Sequence, residues 1–196
     1  MRAIPREVHP YETFDMSYLA GFLDGDGSIH FQLVRQKEYR FGFYIRSSMS
    51  LSQSTTARAG LEYLQRLIGG GYLRDRGTGM SDLVVTSRPL LTRILRGVEP
   101  FVVFKKTHVR EALKLLPQIQ PRMRPKEFLE VARQVDDFAS LNYSKTKRIT
   151  AADVELHLRS KGWLDPVSTS LFELEQGDGR SPAIRRIYDS HKTPAP

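Results

Sequence analysis

The spacing at which apolar residues recur changes several times along this chain, and each change marks an element. Residues 1–13 are polar and carry Pro5 and Pro10, which predicts an irregular N-terminal arm. Asp15 suits a helix start, and Met16-Ser17-Tyr18-Leu19-Ala20-Gly21-Phe22-Leu23 carries that helix to Asp24, where Gly25 and Gly27 stop it. From Ser28 the period becomes two. Ile29, Phe31 and Leu33 share one face, with Ser28, His30, Gln32 and Val34 on the other, as in a half-buried strand. Arg40–Gln53 predicts the partner strand: Phe43, Ile45, Met49 and Leu51 face one way, and Tyr44, Arg46, Ser48, Ser50 and Ser52 the other. The polar stretch Arg35–Tyr39 connects the two as a hairpin.

A second cycle follows. Thr55 or Thr56 caps a helix with Leu61, Leu64, Leu67 and Ile68 at helical spacing, and Gly69-Gly70-Gly71 terminates it. Tyr72–Arg76 and Asp82–Thr86 read as strands around a Gly77-Thr78-Gly79 turn, and Arg88–Leu95 as a helix with Pro89 in its first turn. Helix, two strands, helix, two strands, helix is an α+β order, in which antiparallel hairpins carry helices on one face. Beyond Pro100 three helices are expected. Phe101–Leu116 is closed by Pro117; a second opens at Pro125 with Phe128, Val131, Val135 and Phe138 on one stripe; a third runs from Thr150 to Ser160. The expected organisation is an arm (1–13), one α+β domain (14–161) and a loosely ordered tail (162–196), with Trp163, Leu164, Leu171 and Phe172 the side chains available in it for docking.

Composition narrows the function classes. Thirty Lys and Arg against 22 Asp and Glu in 196 residues give a formal charge of +8, which suits a polyanionic partner as well as simple solubility. No apolar run approaches the roughly 18–20 residues of a membrane span, and Met1–Thr13 lacks the apolar core of a secretory signal, so no membrane partner is expected. Cysteine is absent, which excludes disulfides, zinc–cysteine clusters and thiol nucleophiles. His9, His30, His108, His157 and His191 are too scattered to form a metal site.

The chemistry concentrates in Leu19-Ala20-Gly21-Phe22-Leu23-Asp24-Gly25-Asp26-Gly27-Ser28. Ala20 and Gly21 carry almost no side chain and permit close approach of another helix. Asp24 and Asp26 fall where helix gives way to strand, and a carboxylate there beside exposed main-chain carbonyls suits a hard divalent cation. A bare Asp-Gly-Asp-Gly string is also ordinary turn composition. The ten residues as a whole, however, resemble the signature of the LAGLIDADG homing endonucleases. Gly71-Tyr72-Leu73-Arg74-Asp75-Arg76-Gly77, Phe128-Leu129-Glu130-Val131, Leu141-Asn142 and Ser144-Lys145-Thr146-Lys147 look like segments of the single-motif, chloroplast-intron type. The resemblance covers about residues 15–158 and leaves the tail outside.

That resemblance implies the roles that follow. Asp26 takes the position of the metal-binding acid, with the Gly25 carbonyl beside it, for Mg²⁺; Mn²⁺ and Ca²⁺ are compatible occupants, and no small-molecule cofactor is implied. Asp24 supports the helix end and lies with Ala20 and Gly21 at a dimer seam. Gln53 matches the polar residue that orders water near the scissile phosphate, and Lys105 the basic residue that stabilises developing charge, unless Lys106 is the one pointing inward. Where the family type carries an arginine four residues after Gln53, this chain has Ala57, and Arg58 is the candidate replacement. Gly177-Asp178-Gly179 lacks the helix and strands of a second motif. A single motif implies a homodimer, and a twofold protein reads a roughly palindromic target.

A curved antiparallel sheet fits the major groove of double-stranded DNA. The readout residues expected are Ser28, His30, Gln32, Tyr39, Tyr44, Arg46, Ser48 and Ser50, then Tyr72, Arg74, Arg76, Asp82 and Val84 from the second hairpin, with phosphate contacts from Lys105, Lys106, Lys145, Lys147 and Arg148. The expected activity is site-specific hydrolysis of both strands, leaving short 3′ overhangs. Alternatives on the same fold are an RNA-splicing maturase and a non-catalytic DNA-binding protein. An intracellular, organellar setting in chloroplast or mitochondrion is implied ahead of a bacterial cytoplasm.

Overall fold

A computed structural model describes residues 10–142 and 149–164, with side chains from Asp15 onward. The elements are α1 (Pro10–Asp26), β1 (Gly27–Arg35), β2 (Phe43–Ser54), α2 (Arg58–Ile68), β3 (Tyr72–Asp75), β4 (Met80–Val85), α3 (Arg88–Val98), α4 (Lys106–Leu115), α5 (Pro125–Ser140) and α6 (Ala151–Ser160), with 3-10 turns at Thr55–Ala57 and Leu116–Gln118. The strands form one four-stranded sheet in the order β1-β2-β4-β3. β2 and β4 run antiparallel with Met49 opposite Val85 and Ser54 opposite Met80; β3 and β4 run antiparallel with Tyr72 opposite Val84 and Asp75 opposite Ser81. The α+β order predicted from the sequence is the one observed.

The chain divides into two compact units, Met1–His30 with Ser47–Leu116 and Phe31–Arg46 with Pro117–Pro196. In the first, Leu19, Leu23, Met49, Leu51, Leu61, Leu64, Leu83, Val85, Leu91 and Leu95 are fully buried. Burial of each stabilises the unit by roughly 1.5–3 kcal/mol. α1 packs against α3 so closely that a Cβ at Gly97 would meet Met16 Sδ at 2.6 Å. In the second unit Phe31 lies edge-on to Phe138 at 4.7 Å, and Phe41 packs between Phe128 at 5.2 Å and Trp163 at 5.8 Å. Trp163 therefore docks; Leu171, Phe172 and Gly177-Asp178-Gly179 lie outside the described residues.

Four boundaries near the site differ from expectation. α1 starts at Pro10, not Asp15, because proline's fixed φ suits a first helical turn. It also runs through Gly25 to Asp26, since an interior glycine costs only about 1 kcal/mol relative to alanine. Gly27, where it ends, is required: a Cβ there would lie 2.7 Å from the Leu23 backbone. Ser54, not either threonine, opens the turn before α2, its Oγ accepting from Thr56 N at 3.4 Å. Finally, residues 101–105 are not helical and α4 begins only at Lys106. Two of the N–H groups in that stretch are bound by a side chain distant in sequence.

Candidate functional site

That side chain is Asp24. Its Oδ2 accepts from Val103 N at 2.6 Å and its Oδ1 from Lys105 N at 2.8 Å, while Lys105 Nζ donates to the Asp24 carbonyl at 2.7 Å. The last carbonyls of a helix lack intrahelical donors, so the lysine both caps α1 and is fixed against it. Burial opposes ionisation of Asp24, but the N–H groups of Val103, Lys105 and Phe104 and the Lys105 ammonium outweigh it and hold the carboxyl below its ordinary value. Of the two lysines, Lys105 is half-buried and engaged; Lys106 is exposed.

The expected dimer seam changes accordingly. Asp24 is committed to its own chain. Ala20 is fully buried beside Leu19 and Leu23, because successive helical residues turn by 100° and Ala20 falls on the inward side. Gly21 and Gly25 are the exposed small residues, and nothing lies within 4 Å of where a Cβ on either would sit. Asp26 is exposed, and among the described residues no donor engages its carboxylate.

Gln53 is the penultimate residue of β2, opposite Ser81. Its Oε1 accepts from Ser54 N at 2.9 Å, which leaves the amide NH₂ available. Ser28 Oγ lies 2.8 Å from Ser50 Oγ, and Gln36 N donates to Gly42 O at 2.8 Å. Arg58 is engaged elsewhere: its Nε pairs with Glu62 at 3.3 Å and its Nη1 with Asp75. Asp75 also accepts from Ser81 Oγ at 2.7 Å, and that bond, with the Arg58 charge, holds its carboxyl below the ordinary value against a smaller burial effect. Arg58 thus braces α2 to β3, and Ala57 supplies no guanidinium in its place.

On the polar face of the sheet, His30 Nε2 lies 3.0 Å from Ser28 Oγ, Arg46 donates to Gln32 Oε1, and Tyr39 stacks on Tyr44 at 4.7 Å. Ser48 is half-buried, and Tyr72, Arg74 and Arg76 are exposed. Asp82 and Val84 are not surface residues. β4 lies between β2 and β3, so its side chains are flanked on both sides, and Asp82 is 0% exposed. Asp82 Oδ2 accepts from Arg74 Nη2 and from Arg76 Nε, each at 2.7 Å; Oδ1 accepts from Ser52 Oγ at 2.8 Å and from Arg76 Nη2. Hydrogen bonds from Arg76 overcome burial and, with those from Arg74 and Ser52, hold the Asp82 carboxyl well below the usual range. Asp82 positions two arginines and is not itself presented for readout. Ser52, which also accepts from Arg76 at 3.0 Å, is a member that sequence reasoning missed, although the strand alternation puts it on this face. Lys145, Lys147 and Arg148 lie outside the described residues.

The model of the LAGLIDADG endonuclease family matches residues 19–97. DNA endonuclease I-CreI of Chlamydomonas reinhardtii is 38% identical over 151 residues, 76% of this chain and 92% of that protein. The chain belongs to the LAGLIDADG endonuclease family. This LAGLIDADG chain is also 28% identical over 152 residues to DNA endonuclease I-CvuI of Chlorella vulgaris, covering 78% of this chain and 94% of that protein. The crystal structure of I-CvuI in complex with its target in the presence of Ca matches with a TM-score of 0.75 over 79% of this chain and 98% of that one. The archaeal intron-encoded I-Vdi141I complexed with DNA shares the fold at 16% identity, with a TM-score of 0.68 over 78% and 98%.

In this LAGLIDADG chain the donors at the end of α1 are all oxygens, which fits a hard divalent cation and not a softer metal. Such an ion needs about six oxygens, and among the described residues no three His, Cys, Asp or Glu side chains converge. Asp26 and the Gly25 carbonyl would by themselves supply only part of such a shell.

Proposed function

We propose that the protein is a homodimeric, divalent-metal-dependent homing endonuclease that hydrolyses both strands of a long pseudo-palindromic DNA target, leaving short 3′ overhangs. One observation carries the reading: an exposed, unengaged Asp26 at the end of α1, with Lys105 fixed against the same helix end by Asp24. The named activity of both relatives supports it, as does I-CvuI having been crystallised on DNA with Ca and with Mg. Asp26 and the Gly25 carbonyl would hold Mg²⁺. Bound there, the cation supplies Lewis-acid activation and charge neutralisation at a scissile phosphate. Lys105, immobilised by two contacts, brings a positive charge to that region without reorganisation, and the free amide of Gln53 orders water.

The exposed stretch through Gly21 and Gly25 lets a second α1 approach closely. A twofold pair of chains brings two Asp26 carboxylates together and reads two half-sites. On the sheet face, Arg46, Arg74 and Arg76 suit guanine, and Gln32 suits adenine. Ser28, His30, Tyr39, Tyr44, Ser48, Ser50 and Tyr72 complete the readout, with phosphate contacts from Lys106, Lys145, Lys147 and Arg148. Each phosphate neutralised adds roughly 0.9 to the salt slope of binding. Action on organellar DNA is part of this reading.

The test is cleavage of a complex DNA library by wild type and Asp26→Asn, each with Mg²⁺ and with EDTA, followed by sequencing of the cut ends. Recurrent near-palindromic sites cut only by wild type with Mg²⁺ are expected. Cutting by Asp26→Asn at the wild-type rate would overturn the metal assignment. Tight binding without cutting by wild type would favour the maturase or a DNA-binding role.

A further inference from the structure

The second compact unit carries a groove along its two helices. About 310 Å³ of it lies between α5, α6 and the turn after α6, with Leu129 and Leu164 as its apolar lining. A hollow of about 210 Å³ adjoins it across Lys126 and reaches Trp163 beside the first turn of α5. One turn before Arg159 on α6, Leu156 is 72% exposed. An apolar cavity of about 150 Å³ takes a benzene ring, so the groove has room for about two or three large side chains. Its charged rim is uneven. Arg133 bridges Glu130 at 3.4 Å and Glu155 at 3.2 Å, and Arg159 pairs with Glu155 at 2.7 Å. Lys126 has no acidic partner among the described residues. Three cations thus face two carboxylates, and the occupant that suits them is both apolar and acidic.

One stretch of the chain has that character. Leu171-Phe172-Glu173-Leu174-Glu175-Gln176-Gly177-Asp178 holds three large apolar residues and three acids with no Lys or Arg, in a chain whose formal charge is +8. The described residues end at Leu164, which itself lines the groove, and Leu171 follows seven positions later. A tether of that length reaches at most about 25 Å. So short a link also holds its segment at a local concentration on the order of millimolar. We infer that the groove of α5 and α6 is the docking site of residues 171–178 of the same chain, with Leu171 and Phe172 filling the hollows and the acids beside Lys126. The stretch around Arg185-Arg186 has the wrong charge for this rim, and Glu130 and Glu155 repel a polyanion such as DNA. A second copy of the chain has to displace a segment that is already tethered there. Docking removes from water the apolar surface that Leu156 and Leu164 otherwise present.

Full-length variants test this, and because the chain has no cysteine of its own, an introduced pair is unambiguous. Under oxidation, Lys126→Cys with Glu173→Cys should close an intramolecular disulfide at least about tenfold faster than Lys126→Cys with Asp189→Cys. The double variant Leu171→Ser/Phe172→Ser should melt roughly 4–8 °C below wild type, and Ile187→Ser within about 2 °C of it. Equal closure rates for the two cysteine pairs would overturn the inference. So would a Leu171→Ser/Phe172→Ser melting temperature equal to that of wild type. Disulfides that form only between chains, at a rate rising with protein concentration, would seat a second copy in the groove and overturn it too. An equal loss from Ile187→Ser would show that residues 171–178 are not the docked element.

Discussion

Asp26 and Asp82 belong to the same compact unit and have opposite surroundings. Asp26 stands exposed at the end of α1 with no donor on its carboxylate among the described residues; Asp82 is fully buried in β4 with both oxygens bound by Arg74, Arg76 and Ser52. On the proposed function, the same side chain serves as a ligand in one place and as a scaffold in the other. Available lone pairs separate the roles. A carboxylate whose oxygens are already bound by guanidinium groups has little capacity for a cation, and an exposed one contributes little to stability until something binds it.

The largest expected effect falls on activity alone. Asp26→Asn should reduce cleavage by at least roughly a hundredfold, with DNA affinity retained and stability within about 0.5 kcal/mol of wild type. A melting temperature that falls along with activity would show that Asp26 has a structural partner and would erase the contrast. Asp82→Ala should do the reverse. It should destabilise the fold by about 2 kcal/mol, a figure kept low because both arginines are half exposed, or roughly 4–8 °C for a chain of this size. Discrimination at the base pairs read by Arg74 and Arg76 should also relax, while cutting of permissive sites continues.

Acid separates the two further. Asp82 has a folded pKa held below its unfolded value, so its stabilisation is complete above the unfolded value, near pH 3.9, and is lost as pH falls toward the folded value. Asp24 adds to the same loss. Asp82→Asn should therefore be less stable than wild type at pH 7, with a gap that narrows below about pH 4. Denaturant midpoints at pH 7, 4 and 3 measure this. A gap that stays constant would mean that the charge of Asp82 is unimportant.

What the sequence makes legible follows the same division. Alternation identified the apolar faces of β1 and β2, and the ten-residue signature identified Asp26, because both signals are local. Residues one apart on α1 were harder: Ala20 and Gly21 are equally small, and only the helical phase set by Leu19 and Leu23 sends one inward and the other outward. Asp82 was assigned to the correct face but to the wrong environment. Strand alternation is silent on sheet order, and β4 becomes an interior strand through pairing on both sides. The non-helical stretch at 101–105 was hidden for a related reason. Its backbone donors bond to Asp24, about eighty residues earlier in the chain.

The smallest expected effect concerns Arg58, and it marks the limit of the contrast. As the candidate to replace the arginine absent at Ala57, it would belong with Asp26; its pairs with Glu62 and Asp75 put it with Asp82 among the scaffold. Exposed ion pairs of this kind contribute about 0–1 kcal/mol. Arg58→Ala should therefore lower stability by no more than about 1 kcal/mol, and its single-turnover cleavage rate should stay close to that of wild type. A cleavage rate that falls by the factor typical of a lost transition-state donor, roughly a hundredfold, would return Arg58 to the reacting groups. Its ion pair with Asp75 would then have to open when DNA binds, and Asp75→Asn, which frees the guanidinium in advance, should in that case raise the rate instead of leaving it unchanged.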